Sequence, residues 1–287
     1  MASLTIDAHH HFWDPSRADY PWMTEDLAIL RRVFAPADLR PELAANRVDK
    51  TVLVQTLSSL DETREFLAIA GRTDFVAGVI GWVDLTDPAI DRMLSDLRSG
   101  PNGWRLVGIR HQVHDEPDAD WLRRADVRRG LAAVARHGLA YDLLIRPREL
   151  PAALDTVSAL PELRFVVDHL AKPAIRDEGF DAWQSGIAGF ATERAHVWCK
   201  LSGMVTEADW ADWRRDDLRP YVREALRVFG PARCLFGSDW PVCLLAASYG
   251  EVKAALLDCL DGLTPAERDQ VLGGAAIEVY RLAEIGR

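Results

Sequence analysis

Short runs of apolar residues recur along the chain, separated by stretches in which apolar residues return every three or four positions. Most of the runs are continuously apolar rather than alternating, which is typical of parallel strands buried on both faces. The stretches between them have the periodicity of amphipathic helices. Eight strands are predicted, at Leu4–Asp7, Thr51–Thr56, Phe75–Val83, Arg105–His111, Leu139–Ile145, Arg164–His169, Val197–Ser202 and Cys234–Asp239.

Residues that begin or end helices support this division. Gly138 and Gly230 stand where a glycine would end the preceding helix. Thr264 is followed by a proline and then by Glu267, which predicts the start of a closing helix that runs toward Leu282. Eight alternations of strand and helix predict an α/β fold, a (β/α)8 barrel, as a single domain over residues 1–287. Predicted helices include Glu62–Arg72, Ile90–Arg98, Trp121–His137 and Pro220–Phe229.

Polar or aromatic side chains stand near the ends of successive predicted strands. Most of their spacings are close to the roughly 30 residues of one βαβ unit. The C-terminal strand ends of such a barrel surround its active site, so these side chains are candidates for function. They are Gln55, Trp82, Arg110, Asp142, His169, Lys200 and Asp239.

Composition and charge exclude several classes of protein. The chain has 287 residues, 48% of them hydrophobic, and a formal net charge of −10, which argues against binding to nucleic-acid phosphates. No stretch approaches the roughly 18 apolar residues of a membrane span, and the N-terminus lacks the features of a secretory signal. The four cysteines form no CxxC pair, so reduced thiols in a cytoplasmic protein are predicted, with disulfides in a secreted protein as the alternative.

A histidine pair ends the first predicted strand. Because strand side chains alternate, His9 and His11 share one face while His10 takes the other. Two imidazoles one pleat apart can share a metal ion or bracket a carbonyl group. The alternative is a histidine cluster without a site role.

Two further strand ends carry groups suited to acid–base chemistry. His169 follows an apolar strand, either as a site residue or as a structural imidazole bonded to a neighbour. Asp239 follows a Gly-Ser turn, and burying its carboxylate costs several kcal/mol unless a cation, metal or donor compensates. Asp239 is therefore the candidate general base, with a buried ion pair to arginine as the alternative.

Cations and aromatic side chains complete the predicted site. Arg110 and Lys200 would stabilise an oxyanion or hold a carboxylate, although the strand register leaves open whether Arg110 or His111 faces inward. The substrate-binding candidates are Trp22, Gln55, Trp82, His111 and Trp240, since flat aromatic faces suit hydroxylated rings. The tryptophans could equally serve core packing.

The segment Asp14–Ala35 is long for a loop in a compact domain. A functional lid and a plug that closes the barrel mouth are equally compatible with it. The oligomeric state is also open, because the apolar face of Leu256, Leu257 and Leu260 could pack on a partner in a homo-oligomer or on the barrel.

The motifs together resemble the amidohydrolase superfamily, in the branch called amidohydrolase-2, and the resemblance runs nearly end to end. Within the branch they are most similar to sugar lactonases that act on L-fuconolactone or L-rhamnonolactone, and more distantly to pyrone-dicarboxylate lactonases. The segments that carry the resemblance are His9–Pro15, Tyr20–Trp22, Gly108–His111, Asp168–Pro173, Lys200–Trp210 and Phe236–Pro241.

The resemblance implies a distorted (β/α)8 barrel in which Asp239 activates water against a lactone carbonyl, as in L-fucono-1,5-lactone or a related aldonolactone. It implies that Arg110 and Lys200 orient the ring or stabilise the oxyanion. His9, His11, His169 and Asp239 resemble the ligands of zinc-dependent decarboxylases in the branch, and they suit one Zn²⁺ or Mn²⁺. A metal-independent mechanism stays open, because a lactone is an activated ester.

The strand ends that hold the second metal in binuclear members carry Arg110-His111 and Tyr141-Asp142 here, so no binuclear centre is predicted. The leading hypothesis is hydrolysis of a sugar lactone. A metal-dependent decarboxylase of an aromatic or unsaturated acid is the alternative enzyme on the same barrel. A barrel that binds a sugar acid or metal without turnover is the non-catalytic alternative.

Overall fold

The computed structural model describes residues 3–193 and 195–282, whose strands form one parallel eight-stranded sheet curved into a barrel. Each strand pairs in parallel with the next strand along the chain. The α/β alternation therefore yields the predicted (β/α)8 architecture. The strands are β1 (Ile6–His10), β2 (Lys50–Val54), β3 (Val76–Gly81), β4 (Leu106–His111), β5 (Ala140–Leu143), β6 (Arg164–Val167), β7 (Val197–Leu201) and β8 (Cys234–Phe236).

The barrel closes just beyond the end of β8. A parallel bridge joins His10 to Trp240. The amide of Asp239 donates to the carbonyl of His9 at 2.8 Å, and the amide of His11 donates to the carbonyl of Trp240 at 2.8 Å. The segments that complete the barrel are thus the ones that carry the predicted histidine pair and aspartate.

The helices pack around the outside of the sheet and bury a continuous apolar layer against it. Leu94, Leu131 and Val222 are fully buried in this layer. None of the described helices is both long enough and apolar enough to cross a bilayer. They are α1 (Pro36–Ala45), α2 (Leu60–Arg72), α3 (Ile90–Ser99), α4 (Ala125–Arg136), α5 (Leu150–Ala159), α6 (Phe180–Ile187), α7 (Met204–Glu207), α8 (Arg215–Phe229), α9 (Tyr249–Cys259), α10 (Pro265–Asp269) and α11 (Ala275–Val279).

Several boundaries differ from the predicted ones. The first strand continues to His10, and the strands predicted to end at His169 and Asp239 stop earlier, where the backbone turns left-handed. The helix predicted over Trp121–His137 is interrupted at Arg124, whose extended backbone separates a short 3-10 turn from α4. Gly138 and Gly230 have positive φ after their helices, as predicted.

The closing helix begins as predicted and then changes pitch. Thr264 Oγ1 accepts from the amide of Glu267, and the Glu267 carboxylate accepts from the amide of Thr264. A π-helical turn at Gln270–Gly274 then separates α10 from α11. This turn passes the N-terminal strand so closely that a Cβ on Gly273 would lie 1.9 Å from the carbonyl oxygen of Leu4.

The barrel interior has an apolar floor and a charged layer above it. Side chains from the strands and from α11 form one buried apolar cluster at the floor. Because strand side chains alternate, a residue two positions after a floor residue also points into the barrel, and in three strands that residue is charged. The floor residues are Ala140, Val166 and Trp198, and the corresponding charged residues are Asp142, Asp168 and Lys200.

The apolar face of α9 packs inward. Leu256 and Leu260 are buried in the core between this helix and the barrel. Leu256 and Leu260 thus pack on the barrel, whereas Leu257 is partly exposed, and a homo-oligomer stays a prediction.

We expect Gly273→Ala to lower the free energy of unfolding by about 1–3 kcal/mol, because the added methyl group forces α11 away from the N-terminal strand. Gly250→Ala is the control, since its added Cβ meets only the side chain of Asn46 at 3.2 Å within a helix. Urea unfolding monitored by circular dichroism measures both. Equal stability of the two variants would contradict this account of the π-helical turn.

Candidate active site

A cavity of about 170 Å³ opens at the C-terminal end of the barrel strands. Drug-sized ligands occupy pockets of roughly 300–1,000 Å³, so this volume suits one small ring. Its walls come from the segments that follow β1, β2, β4, β5, β6 and β8. The lining residues are His11, Trp22, Thr56, Arg110, Gln112, His114, Asp115, Leu144, His169, Lys172, Asp239 and Val242.

Three imidazoles converge on one carboxylate at this end of the barrel. Asp239 Oδ1 lies 3.4 Å from His11 Nε2, 3.7 Å from His9 Nε2 and 3.9 Å from His169 Nε2. The Nε2 atoms of His9 and His11 are 3.2 Å apart. The predicted histidine pair therefore does share one side of its strand, and the fold brings His169 and Asp239 to it.

The far nitrogen of each imidazole has its own polar neighbour. His11 Nδ1 donates to the carbonyl of Val54 at 2.8 Å, so Nε2 is the ring nitrogen that faces Asp239. His169 Nδ1 is bonded to Ser202 Oγ at 2.9 Å, and His9 Nδ1 lies 3.5 Å from Asp168 Oδ1. Such outer partners fix the ring orientation and are typical of metal-binding histidines.

The donor set fits a single divalent cation. Ligand atoms of His9, His169 and Asp239 all lie within 4.8 Å of one another, and His11 Nε2 adjoins them. Zinc ligands bound tetrahedrally at about 2.1 Å stand roughly 3.3–3.6 Å apart, close to the separations of 3.2–3.9 Å found here. Three imidazoles and one carboxylate suit Zn²⁺ or Mn²⁺.

Left-handed backbone conformations orient several of these side chains toward the cavity. Four consecutive residues from His169 to Lys172 have φ of 51°, 54°, 60° and 49°, and Asp239 has φ of 57°. The amide of Lys172 donates to the carbonyl of His169 at 2.7 Å, which closes a left-handed 3-10 turn. Residues three apart eclipse each other in such a turn, so His169 and Lys172 both line the cavity. Positive φ in non-glycine residues is strained and concentrates at functional sites.

A buried ion-pair network lies beneath the histidines. Lys200 is fully buried, and its ammonium contacts Asp142 and Asp168, with Nζ 2.9 Å from Asp168 Oδ1. It also lies 3.2 Å from His9 Nδ1. Asp168 Oδ2 accepts from Arg110 Nη1 at 3.0 Å. The network therefore contains two cations and two carboxylates, and both ends of it reach His9.

The structure decides the register question in favour of Arg110. Its Nε and Nη2 donate to Gln55, and its Nη1 lies 3.0 Å from Asp168 and 3.2 Å from His9 Nε2. His111 points the other way, stacks on Trp121 at 4.5 Å and is bonded to Glu116. Arg110 thus borders the cavity as an immobilised cation. Its described contacts occupy every edge of the guanidinium, so none is free to bind a carboxylate through two hydrogen bonds.

The protonation states follow from burial and charge. Burial raises the pKa of Asp239, but the imidazoles of His169 and His11 and the Lys172 ammonium outweigh it and hold that pKa below its usual value. Burial lowers the pKa of His169 to about 4. Burial raises the pKa of Asp142 to about 6, whereas Lys200 and His9 hold the pKa of Asp168 well below its usual value. At neutral pH the site therefore contains an ionised Asp239 beside a neutral His169.

Several predicted site residues support the cavity without lining it. Lys200 lies below the histidines, because its strand position places it in the charged layer of the interior. Gln55 is fully buried and holds Arg110, while Trp82 Nε1 donates to His111 Nδ1 at 3.0 Å. Trp240 packs edge-on against Phe34. Their positions depend on tertiary contacts that strand-end spacing does not encode. Trp22 does line the cavity.

Lys172, His114 and Gln112 also line the cavity, although they were not predicted as site residues. Lys172 stands three residues after His169, but the sequence does not reveal the left-handed turn that brings both to the same side. Gln112 and His114 follow β4, one and three residues after the predicted Arg110-His111 pair.

The long loop Asp14–Ala35 forms one wall of the cavity in this structure. Reciprocal backbone hydrogen bonds of 3.1 and 3.0 Å between Trp13 and Phe34 join its ends. The Trp22 ring packs edge-on against Trp13 at 5.2 Å and borders the cavity. The loop is thus packed against the barrel through its aromatic residues and contributes Trp22 to the cavity wall.

Comparison with known proteins gives full-length matches. Residues 6–282 match the sequence family described as Amidohydrolase. An L-fucono-1,5-lactonase of Burkholderia ambifaria is 40% identical, across 98% of this chain and 96% of that protein, and one of Burkholderia multivorans is 38% identical, across 99% and 98%. A crystal structure of a Burkholderia multivorans amidohydrolase with bound zinc has a TM-score of 0.92 at 36% identity, covering 97% of this chain and 99% of that one.

We expect Lys200→Met to lower the free energy of unfolding by about 3–5 kcal/mol, because it leaves two buried carboxylates without their shared cation. Lys172→Met, the same substitution at the partly exposed cavity wall, should change it by less than about 1 kcal/mol. Chemical denaturation measures both. If Lys200→Met leaves stability unchanged, the ammonium does not hold the network together.

Proposed function

The chain belongs to the amidohydrolase family, and from this premise we propose that it is a lactonase that hydrolyses the cyclic ester of a sugar acid to the open hydroxy acid. The observation that carries the proposal is the ionised Asp239 carboxylate among three imidazoles at the edge of a cavity sized for one small ring. L-Fucono-1,5-lactone is the proposed substrate within this class, because two full-length relatives bear that activity in their names.

Asp239 is the proposed general base. A carboxylate with a lowered pKa stays ionised at neutral pH and can accept a proton from water as the water oxygen attacks the lactone carbonyl. The ester C–O bond of the tetrahedral intermediate then breaks, and the leaving ring oxygen takes the proton back from Asp239. The carboxylic acid product ionises in solution, so each turnover releases one proton.

Arg110 is the proposed electrostatic partner of the reacting carbonyl. Its guanidinium borders the cavity, and five contacts to Gln55, Asp168 and His9 prevent it from moving. A cation fixed in advance stabilises developing negative charge without reorganising during the reaction. Lys200 contributes indirectly, by holding Asp168 and His9 in place.

His9, His11, His169 and Asp239 are the proposed ligands of one divalent cation, Zn²⁺ or Mn²⁺. When bound, such a cation polarises the carbonyl and lowers the pKa of water. The hydrogen bonds to the Val54 carbonyl and the Ser202 hydroxyl hold His11 and His169 with Nε2 toward Asp239, as that role requires.

Decarboxylation of an aromatic acid is the weaker candidate. It requires an arginine clamp for the substrate carboxylate, and the guanidinium of Arg110, the arginine that borders the cavity, is engaged on all its edges with Gln55, Asp168 and His9. The full-length relatives named above are lactonases rather than decarboxylases.

We also propose a reducing cellular compartment, consistent with the predicted cytoplasmic location. Cys199, Cys234, Cys243 and Cys259 are all unpaired and buried. Burial raises the pKa of each thiol, which keeps these cysteines unreactive.

We expect Asp239→Asn to lower kcat for an aldonolactone by about 10²–10⁴-fold, because the amide cannot accept the proton of water. Asp61→Asn, at a surface carboxylate whose side chain is 92% exposed, is the control and should keep full activity. Circular dichroism checks that both variants fold. Full activity of the folded Asp239→Asn variant would contradict the proposed role of Asp239 as general base.

The proposed function is tested with a pH-indicator assay on L-fucono-, D-arabinono-, L-galactono- and L-rhamnonolactone, before and after treatment with a chelator. We expect rapid proton release on a stereochemically related subset, and a loss of about tenfold or more on chelation that added Zn²⁺ or Mn²⁺ reverses. Elemental analysis of the isolated protein should give about one metal equivalent per chain.

If folded protein with metal present releases no protons from any lactone of the panel, the proposed lactonase activity is refuted. Carbon dioxide release from aromatic acids would then support the decarboxylase. Full activity after complete removal of metal would leave the lactonase in place and refute the role of the cation.

A further inference from the structure

We propose that Lys172 and Glu207 form a subsite that binds neighbouring hydroxyl groups on the lactone ring, and thus select polyhydroxylated lactones. This inference rests on the proposed function and extends it to substrate selection. The pair is called the hydroxyl subsite below.

Lys172 stands on the cavity wall next to the reacting groups. The left-handed turn that begins at His169 returns to the same side after three residues, so His169 and Lys172 both border the cavity. The chain has four lysines, and within residues 3–193 and 195–282 this is the one whose side chain lines this cavity. Lys200, the ammonium that strand spacing had favoured, is sealed below the histidines.

The partner of Lys172 comes from a different loop. Lys172 Nζ donates to Glu207 Oε1 at 2.8 Å, and the two side chains are 22% and 24% exposed. Glu207 ends the short helix α7 that follows β7, and its backbone carbonyl accepts from the amide of Arg176 at 3.0 Å. The ion pair thus joins the segments after β6 and β7, with Glu207 bonded to the Lys172 side chain that lines the cavity, and both side chains keep some exposed surface.

An ammonium beside a carboxylate matches the hydrogen-bonding pattern of neighbouring hydroxyl groups. A lysine ammonium has three donor hydrogens and a carboxylate has about four acceptor positions, so one mutual hydrogen bond leaves both with unused capacity. A hydroxyl group both donates and accepts. One ring hydroxyl can therefore accept from Lys172 while its neighbour donates to Glu207, and hydrogen bonds to charged groups are the stronger ones.

His114 is a second polar side chain on the wall of this cavity. It lines the same cavity, and its buried Nδ1 has no hydrogen-bond partner among the described residues. Its Nε2 lies 3.2 Å from Asp115 Oδ1, and burial lowers the pKa of this imidazole to about 3. A neutral ring that donates from Nε2 leaves Nδ1 as an acceptor without a partner among the described residues. Buried polar atoms are rarely left unpaired.

The subsite makes no contribution to a lactone that lacks hydroxyl groups. δ-Valerolactone presents the same carbonyl and ring ester to Asp239 without any hydroxyl. Lys172 also helps to lower the pKa of Asp239, after burial and the imidazoles of His169 and His11, and that effect would act on both substrates alike. The ratio of kcat/KM between an aldonolactone and δ-valerolactone therefore isolates hydroxyl recognition.

The test compares Lys172→Met and Glu207→Gln with the wild-type chain on L-fucono-1,5-lactone and on δ-valerolactone. We expect each variant to lose about 10–100-fold in kcat/KM on the sugar lactone, mainly through KM, and less than about threefold on δ-valerolactone. Lys172→Arg keeps the charge and the donors and should recover part of the loss. Lys50→Met is the matched control, since Lys50 lies on β2 and donates to the carbonyl of Asp74.

Each outcome decides the proposal. Equal losses on both lactones would mean that Lys172 acts on the reacting groups, and no loss on either would mean that the pair is a surface ion pair; both results overturn the hydroxyl subsite. Equal kcat/KM of the wild type on the two lactones would overturn it and leave the lactonase intact. Hydrolysis of neither lactone would overturn the proposed function, and the subsite with it. Thermal melting of all variants confirms that they fold.

Discussion

The pairing of Lys200 with Asp142 and Asp168 inside the barrel is the interaction on which the site depends. The three groups are fully buried, and each is tolerated there only because its partners neutralise it. The same Asp168 holds Arg110 and adjoins His9, so the network that stabilises the interior also positions the groups that face the cavity. Fold stability and site geometry therefore share one set of contacts.

A second buried carboxylate orients the proposed general base, Asp239. Asp7 accepts from the amide of Ser238 at 2.9 Å and from the Tyr249 hydroxyl at 2.9 Å, which fixes the turn before Asp239. The amide of Asp239 then bonds to the carbonyl of His9 and closes the barrel. These contacts compensate for the left-handed backbone at Asp239, which would be unfavourable on its own. The strained residue persists because the surrounding hydrogen bonds leave the turn no alternative.

The sequence by itself determined the architecture and the residues of the histidine–aspartate cluster. Continuous apolar runs alternating with amphipathic stretches suffice for a (β/α)8 barrel, because strands buried on both faces must be apolar throughout. The alternation of strand side chains put His9 and His11 on one side, and the strand-end positions of His169 and Asp239 made them candidates for the same site. These predictions depend on local periodicity and on the general rule that the site lies at the C-terminal strand ends. Both are encoded within a few residues of each position.

Only the tertiary structure decided which cations reach the cavity. Lys200 and Lys172 both follow apolar strand segments, yet one is sealed between two aspartates and the other borders the cavity through a left-handed turn. Arg110 and His111 are adjacent in sequence, and the contacts of Arg110 with Gln55 and Asp168 fix which of them faces inward. The orientation of each side chain therefore depends on distant partners: these two contacts join residues that are 55 and 58 positions apart in the sequence. A sequence pattern contains periodicity, but it does not contain the electrostatic balance of groups that meet only when the barrel closes.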